Sequence, residues 1–196
     1  MEYSITSKRI GEIAEVNQGH IFRKGISNRP EGNVFLIQPS DVDEGKKVDS
    51  SKLHRVRRGD IKDHSLIGGD DVIIRSKTSN PISFIISDTE KDYAVTNHFM
   101  IIRLRDESIL PEYLVWFLNS PSALSFFSEM MVGTTVSFLK KKDLISLEVP
   151  VPPLNVQKRI IKIDKLIRKE ESLMYELINT KKSLVHKVLK DKARGV

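Results

Sequence analysis

The chain has 196 residues and a net charge of +6, and its 39% hydrophobic and 30% charged residues are typical of a globular protein with one core of ordinary size. The absence of cysteine excludes disulfide bonds and cysteine-based metal sites. No apolar run approaches the ~20 residues of a membrane span, and the N-terminal MEYSITSKRI has no apolar signal core, so we expect a cytoplasmic protein with no membrane partner.

The first half of the chain predicts short strands separated by polar loops. A helical turn is expected at Lys8–Ile13, and after it a strand at Ala14–Asn17 leads into a loop at Gln18-Gly19. Apolar and β-branched residues predict the later strands, which are Asn33–Gln38, Val48–Arg58, Val72–Arg75, Ile82–Ser87 and Tyr93–Leu104. The polar alternation of Val48–Arg58 favours an edge strand, and Val72–Arg75 is predicted to be buried.

A helical hairpin is predicted next. Pro111 suits the first position of a helix, and a second helix is expected to begin after Ser120. We expect Trp116 in the hairpin core, together with a group that could instead touch the long helix: Phe126, Phe127, Met130 and Met131. The domain is completed by three segments, namely a loop or strand at Gly133–Ser137, a turn at Lys140–Asp143 and a last strand at Ser146–Val149. The predicted class is α+β, with a curved, mostly antiparallel sheet in residues 1–151.

One long helix is predicted for the C-terminal third. Pro152 and Pro153 suit its first turn, and neither Gly nor Pro occurs between Leu154 and Arg194. A spacing of three and four residues forms a heptad seam, consisting of Ile160, Ile163, Ile167, Glu170, Met174, Leu177, Lys181, Leu184 and Val188. A helix ending near Leu189 would be roughly 55 Å long. Because an apolar stripe needs a partner, we assign 152–190 to a coiled-coil helix and 191–196 to a basic tail.

The positive charge is concentrated on this helix and tail. Residues 154–196 contain 12 Lys and Arg against 5 Asp and Glu, whereas the rest of the chain is close to neutral. A polyanion partner would explain this distribution. A solvated helix face with scattered surface charge explains it equally from charge alone.

The sequence offers little that suggests catalysis or metal binding. No two histidines have the i, i+4 spacing of a helical zinc site. Glu31 with Glu44-Gly45-Lys46 loosely resembles the acids and lysine of metal-dependent nucleases, but the Glu-Gly-Lys lies in a predicted turn. Asn80-Pro81-Ile82-Ser83 lacks the second proline and the aromatic residue of an amino-methyltransferase loop. We expect no catalytic, metal or cofactor site, and a metal-dependent nuclease remains the less favoured alternative.

Several motifs resemble, in the same order, those of specificity subunits of type I restriction–modification systems. PPLNVQKRI at Pro152–Ile160 lies between a proline-containing strand and a heptad helix, as at the conserved-region junction of that family. The other motifs resemble parts of the family's target recognition domain: Arg9–Gly19, Gly69–Ser76, Pro111–Ser120 and Gly133–Leu139. Each motif is loose by itself, but together they cover nearly the whole chain.

The resemblance implies a non-catalytic protein whose recognition domain reads a short sequence in double-stranded DNA. The long helix would space two such domains and dock DNA methyltransferase (M) subunits, and whether a restriction (R) subunit joins stays open. Family members usually carry two domains and two antiparallel helices, whereas this sequence shows one of each. It resembles a half subunit whose homodimer would read a bipartite palindromic site. A coiled-coil adaptor that binds protein is the alternative.

Two charged residues in the seam indicate how the helices would pair. In an antiparallel pair centred near residue 175 or 176, Glu170 of one chain would face the region of Lys181 of the other. Opposite charges there favour this register over a parallel one, which places like charges together. The alternative is that both side chains turn outward to water.

The DNA-contacting residues are expected on loops that a sheet holds in place. Base reading needs donors and acceptors such as Arg, Asn and Gln, and phosphate contact needs Lys, Arg, Ser or Thr. Three loops correspond to family loops that usually face DNA, and Asn97 interrupts an apolar strand pattern. The candidates are His20, Arg23, Lys24, Arg75, Lys77, Ser79, Asn80, Asn97, Thr134, Thr135, Lys140 and Lys141.

Overall fold

The computed structural model describes residues 6–23, 25–42, 48–86, 88, 90–131 and 138–194. They belong to two compact units, Met1–Gln157 and Lys158–Val196. The strands are β1 (Thr6–Arg9), β2 (Ala14–Gln18), β3 (Val34–Ile37), β4 (His54–Val56), β5 (Leu66–Ile67), β6 (Val72–Arg75), β7 (Ser83–Phe84), β8 (Asp92–Val95), β9 (Phe99–Leu104) and β10 (Glu148–Val151). The helices are α1 (Ile10–Ile13), α2 (Pro111–Leu118), α3 (Pro121–Met131), α4 (Lys141–Ser146) and α5 (Leu154–Ala193).

Strand pairing confirms the α+β class and the mostly antiparallel arrangement, and it distributes the strands over three sheets. One sheet pairs β1 with β10, a second has the order β2-β9-β6-β7, and a third has the order β4-β3-β8-β5. The pair β3 and β8 is parallel, whereas the other named strand pairs are antiparallel. The first unit is therefore built on two four-stranded sheets and one short ribbon.

The chain passes from one four-stranded sheet to the other at residues 96–98. We predicted a single strand over Tyr93–Leu104, and this prediction is wrong because Thr96, Asn97 and His98 form a turn between β8 and β9. β8 pairs with β3 and β5, whereas β9 pairs with β2 and β6. The residues on both sides of the turn are equally apolar, so hydrophobic pattern alone could not reveal the change of sheet. Asn97 consequently lies in a turn.

Other predicted boundaries need correction. Lys8–Ile13 begins as the end of strand β1 and becomes helical only at Ile10. Within Val48–Arg58 only β4 is a strand, and it lies at the edge of its sheet, as the polar alternation indicated. The turn predicted at Lys140–Asp143 is the start of α4, and the last strand begins two residues later than expected. These differences reflect local hydrogen bonding that polarity patterns do not resolve.

The two four-stranded sheets share a core. Side chains from both sheets form one buried cluster, including Ile37, Ile73, Phe84, Val95 and Ile101. Helix α2 packs against β6 and β7. The Asn119 side chain just after α2 accepts the Ser83 N–H at 3.0 Å and donates to the Ser83 carbonyl at 2.9 Å, which ties the hairpin to β7.

The predicted core of the hairpin is partly confirmed. Trp116 is half-buried and packs its ring 5.4 Å from that of Tyr113. Phe127 and Met131 are buried, but Phe126 is only half-buried and Met130 is exposed. Helical spacing explains the difference, because residues three or four apart share one face while neighbours do not.

The first turn of α5 is anchored by Gln157, which is fully buried. Its Oε1 accepts the Leu110 N–H at 2.9 Å, and its Nε2 donates to the carbonyls of Ser108 at 2.7 Å and Pro152 at 2.8 Å. The amide therefore satisfies backbone groups of the segment before α2. This gives the glutamine of the PPLNVQKRI motif a structural role.

Helix α5 confirms the predicted long C-terminal helix. It has 40 residues and is about 60 Å long at about 1.5 Å per residue. It continues to Ala193, so it includes part of the segment expected to be a tail. Among the described residues, no helix combines the length and the apolar character needed to cross a membrane.

Candidate nucleic-acid interface

The loop after β2 is held against the turn between β8 and β9. The His20 N–H donates to the Val95 carbonyl at 2.8 Å, and the Asn97 N–H donates to the His20 carbonyl at 2.9 Å. The Gln18 side chain reinforces this contact, since its Nε2 donates to the carbonyls of Asn97 and Phe99. Two candidates that are 77 positions apart in the chain, His20 and Asn97, are thereby brought together.

Gly19 permits this close approach. A Cβ at Gly19 would lie 2.2 Å from the Thr96 carbonyl oxygen and 2.7 Å from that of Val95, distances that side chains do not adopt. Both of these oxygens belong to the backbone and cannot rotate away. The glycine is therefore required by the packing of the two backbones.

The loop after β6 attaches to the other side of the same turn. The N–H groups of Ser76 and Lys77 both donate to the His98 carbonyl, at 2.8 and 3.2 Å. The Ser76 hydroxyl donates to the same oxygen at 3.2 Å. On its far side, the Ser76 carbonyl accepts the Leu139 N–H at 2.8 Å, next to Lys140. We call the joined segments 18–23, 75–80, 96–98 and 138–141 the loop cluster.

The structure brings most of the predicted DNA-contacting residues into this cluster. Arg23, Lys77, Ser79, Asn80 and Lys141 are exposed. His20, Arg75, Asn97 and Lys140 are half-buried. Lys24, Thr134 and Thr135 lie outside the described residues.

Arg75, the last residue of β6, begins one segment of the loop cluster. Its Nε is buried and has no hydrogen-bond partner among the described residues. Its backbone, in contrast, is paired, since the Arg75 N–H donates to the Ile82 carbonyl at 2.9 Å. Arg75 as a whole is half-buried, and a partly exposed guanidinium can bind a phosphate or a base edge.

Two basic residues that sequence reasoning missed lie close to His20. The Lys62 N–H donates to His20 Nδ1 at 3.4 Å. Burial lowers the pKa of His20, and the positive charges of Lys62 and His64 lower it further. Burial and the charge of Lys77 likewise lower the pKa of His98. Only tertiary contact places Lys62 and His64 there, although the basic residues Arg55, Arg57 and Arg58 precede them closely in the chain.

The alternative nuclease site receives no support from the described residues. A backbone hydrogen bond lowers the pKa of Glu31, and its ion pair with Arg57 at 3.1 Å lowers that pKa further. Glu44, Gly45 and Lys46 lie outside the described residues. In the part of the chain that is described, no three His, Asp or Glu side chains are placed to hold a metal ion.

The predicted seam of α5 is exposed along most of its length. Ile160 is half-buried, and the other eight seam residues, from Ile163 to Val188, are exposed. Further exposed apolar residues flank the seam: Leu166, Leu173, Ile178 and Val185. The stripe is therefore wider than the seam of a simple two-stranded coiled coil.

Comparison with known proteins identifies relatives over most of the chain. The family model "Type I restriction modification DNA specificity domain" matches residues 4–180. The specificity subunit of the Escherichia coli type I restriction enzyme EcoR124I/EcoR124II is 26% identical over 164 residues, which is 83% of this chain and 40% of that protein. The chain thus spans well under half the length of this relative.

Solved structures share the fold. A chain from a structure on complex assembly and conformational transition of the type I R-M system has a TM-score of 0.65 at 16% identity, covering 89% of this chain and 40% of its own length. The HsdS subunit from Thermoanaerobacter tengcongensis has a TM-score of 0.57 at 17% identity, and the alignment covers 86% of this chain and 38% of that subunit. The S subunit from M. genitalium has a TM-score of 0.52 at 14% identity, and the alignment covers 90% of this chain and 42% of that subunit.

Proposed function

The chain belongs to the family of type I restriction modification DNA specificity domains, and we propose that it reads a specific sequence in double-stranded DNA as the non-catalytic specificity subunit of a type I restriction–modification complex in the cytoplasm. The observation that carries this proposal is the loop cluster. It gathers cations and side-chain amides from separate parts of the chain on a hydrogen-bonded backbone. Such groups are those that contact phosphates and base edges.

The backbone framework supports a role in selective recognition. Specific contacts require side chains held in a defined geometry, and the cluster is tied together by backbone hydrogen bonds on both sides of the turn at 96–98. The half-buried Arg75 contributes a guanidinium that can bind a phosphate or a base edge. Lys62 and Lys77 add positive charge that would attract the DNA backbone.

We further propose that two copies pair through α5 in antiparallel orientation. Around the midpoint between Tyr175 and Glu176, apolar residues occur in pairs at equal distances: Ile163 with Val188, Leu166 with Val185, Ile167 with Leu184, Leu173 with Ile178, and Met174 with Leu177. Glu170 and Lys181 form a further such pair. A two-fold axis at this midpoint would bring the members of each pair to one level of the dimer. Two recognition domains would then read a bipartite palindromic site.

The flanks of the seam support docking of methyltransferase subunits. Leu166 and Leu173 lie on one side of the heptad seam, and Ile178 and Val185 lie on the other. A two-helix pair buries mainly the seam itself, which leaves these apolar residues for a further protein. We assign that place to the methyltransferase subunits, and a restriction subunit would be a further component of the complex.

Site mapping tests the recognition role. The full chain is combined with its cognate methyltransferase subunit, DNA is methylated, and the modified positions are sequenced. We expect methylation at a bipartite palindromic sequence only when this chain is present. Methylation without the chain, or methylation with no sequence preference, would contradict the proposal.

Sedimentation tests the pairing separately. Two chains of 22.4 kDa should sediment as a dimer of about 45 kDa. A monomer at micromolar concentration, both alone and with the methyltransferase subunit, would rule out pairing through α5. The recognition role would be unaffected by that outcome.

A further inference from the structure

A small cleft opens at the edge of the loop cluster, beside the turn at 96–98. Its volume is about 190 Å³, and it is lined by both apolar and polar residues. Phe22, Ile26 and Pro39 supply apolar surface, whereas Gln38, Asn97 and His98 supply polar groups. A lining that combines amides with apolar carbon matches the edge of a base pair, which offers hydrogen-bonding groups and, at thymine, a methyl group.

Asn97 is the polar group of the cleft best placed to bind a ligand. Its backbone is fully engaged, since its N–H donates to the His20 carbonyl and its carbonyl accepts from the Gln18 side chain. Among the described residues, however, no hydrogen bond is made by its side-chain amide, and the residue is half-buried. The backbone of Asn97 is thus held in position, and its side-chain amide has a donor and an acceptor that the described residues do not use.

Ile21 is an exposed apolar residue of the loop that is hydrogen-bonded to Asn97. It follows His20, whose carbonyl accepts the Asn97 N–H, and it is 60% exposed. The hydrogen bonds of Gly19 and His20 fix the start of its loop, and the rings of His20 and Phe22 pack edge to face at 4.6 Å. Ile21 is therefore an exposed apolar residue that follows directly on the backbone contact between His20 and Asn97.

The surrounding charge favours a nucleic acid over an apolar ligand. Lys62 and His64 lie close enough to His20 to lower its pKa, and Lys77 does the same for His98. The positive charges around the cleft would attract phosphates on either side of it. The cleft itself would then meet the bases between them.

We propose that this site reads one A·T base pair from the major groove. The Asn97 amide donates to adenine N7 and accepts from the adenine N6 amino group, and Ile21 contacts the C5-methyl group of the paired thymine. An amide makes two hydrogen bonds to adenine in this way, and no other base pair offers the same acceptor, donor and methyl pattern. This inference rests on the proposed DNA-reading function and assigns it particular bases.

Base analogues test the proposal atom by atom. The probe is a duplex carrying the sequence found by methylation mapping, in which one adenine at a time becomes 7-deazaadenine or one thymine at a time becomes uracil. At one A·T pair, we expect loss of N7 to weaken binding of the full complex about 5-fold. At the same pair, loss of the methyl group should weaken binding about 4-fold.

Two variants with matched controls complete the test. Asn97→Ala should become insensitive to 7-deazaadenine at that pair, and Ile21→Ala should become insensitive to uracil there. Asn155→Ala and Met130→Ala remove an exposed amide and an exposed apolar side chain outside the loop cluster, and both should behave as the wild type. The thermal midpoints of all variants should match that of the wild type, since the substituted side chains are at most half-buried.

The possible failures are distinguishable. If the wild-type complex prefers no duplex, the proposed function itself is wrong. If it prefers one sequence but Asn97→Ala keeps the wild-type response to 7-deazaadenine at every adenine, the assignment of this cleft is overturned and the recognition role stands. A response lost equally in the Asn155→Ala control would also overturn the assignment.

Discussion

At the scale of single residues, Gln157 shows how one amide secures the start of the long helix. Gln157→Ala would leave the Leu110 N–H and the carbonyls of Ser108 and Pro152 without partners. We expect the free energy of unfolding to fall by about 2–4 kcal/mol, since each unsatisfied buried group is costly. Urea denaturation measures the change. Asn155→Ala in the same turn is the control, and a loss of equal size there would refute the role of Gln157.

Gly19 permits the contact between the loop after β2 and the turn at 96–98. Gly19→Ala should push the two backbones apart, destabilise the domain by about 1–3 kcal/mol and weaken DNA binding more than tenfold. Gly59→Ala is the matched control, because a Cβ at Gly59 would meet nothing within 4 Å. Denaturation and DNA titration of both variants measure the effects. Normal DNA binding by Gly19→Ala would show that this close approach is dispensable.

The two histidines of the loop cluster make the stability depend on pH. The pKa of His20 and that of His98 are lowered in the folded chain, so folding opposes their protonation. This cost is absent above the unfolded pKa near 6.5 and grows as the pH falls below that value. The free energy of unfolding should therefore fall from pH 7 to pH 5.5.

The double variant His20→Gln, His98→Gln tests this assignment. It should lose less stability than the wild type over the same pH range, as measured by urea denaturation. Asp106 does not interfere, because hydrogen bonds from Lys8 and Ser108 lower its pKa to about 2, and its ordinary pKa of 3.8 also lies below this pH range. Equal pH dependence in the variant and the wild type would remove the two histidines as its cause.

At the scale of the secondary-structure elements, the charges in the α5 seam decide the orientation of the proposed pair. In the antiparallel dimer, Glu170→Lys would place two positive charges opposite each other, twice per dimer. We expect the dimer dissociation constant to rise about 5- to 30-fold. Adding Lys181→Glu in the same chain restores opposite charges and should restore the wild-type value.

Sedimentation equilibrium of the single and double variants measures these constants. A parallel dimer would instead place Glu170 against Glu170 and Lys181 against Lys181, so the single variant would only exchange one repulsion for another. A dissociation constant unchanged in Glu170→Lys would therefore contradict the antiparallel register. The double variant also controls for loss of helix, because it keeps the composition of the wild type.

The elements also show which features can be predicted from local sequence patterns and which cannot. The long helix and the helical hairpin were predicted because their apolar spacing and prolines are local signals. The strand over Tyr93–Leu104 was predicted as one element because its two halves are equally apolar. Each half pairs with strands distant in the chain, and such pairing leaves no signature in the segment itself.

At the scale of the whole molecule, the loop cluster should set the salt dependence of DNA binding. Arg75→Ala and Lys77→Ala should each weaken binding, and each should reduce the slope of log K against log salt concentration by about one for a lost phosphate contact. Titrations at several salt concentrations measure the slope. Lys52→Ala, which removes a cation paired with Asp49 outside the cluster, should leave it unchanged. A slope identical to that of the wild type would exclude either residue as a phosphate contact.

The sequence by itself determined the α+β class, the long helix with its seam, the junction motif and most of the polar loops. These features depend on periodicity and turn chemistry within a few residues. Tertiary structure alone decided which loops meet, because the contacts of His20, Ser76, Asn97 and Leu139 follow from strand pairing between distant segments. It also decided that Lys62 and His64 lie near His20 and that Gln157 is buried. The physical reason is that every residue except proline offers the same backbone donor and acceptor. The local sequence therefore does not identify which distant segment a backbone will pair with.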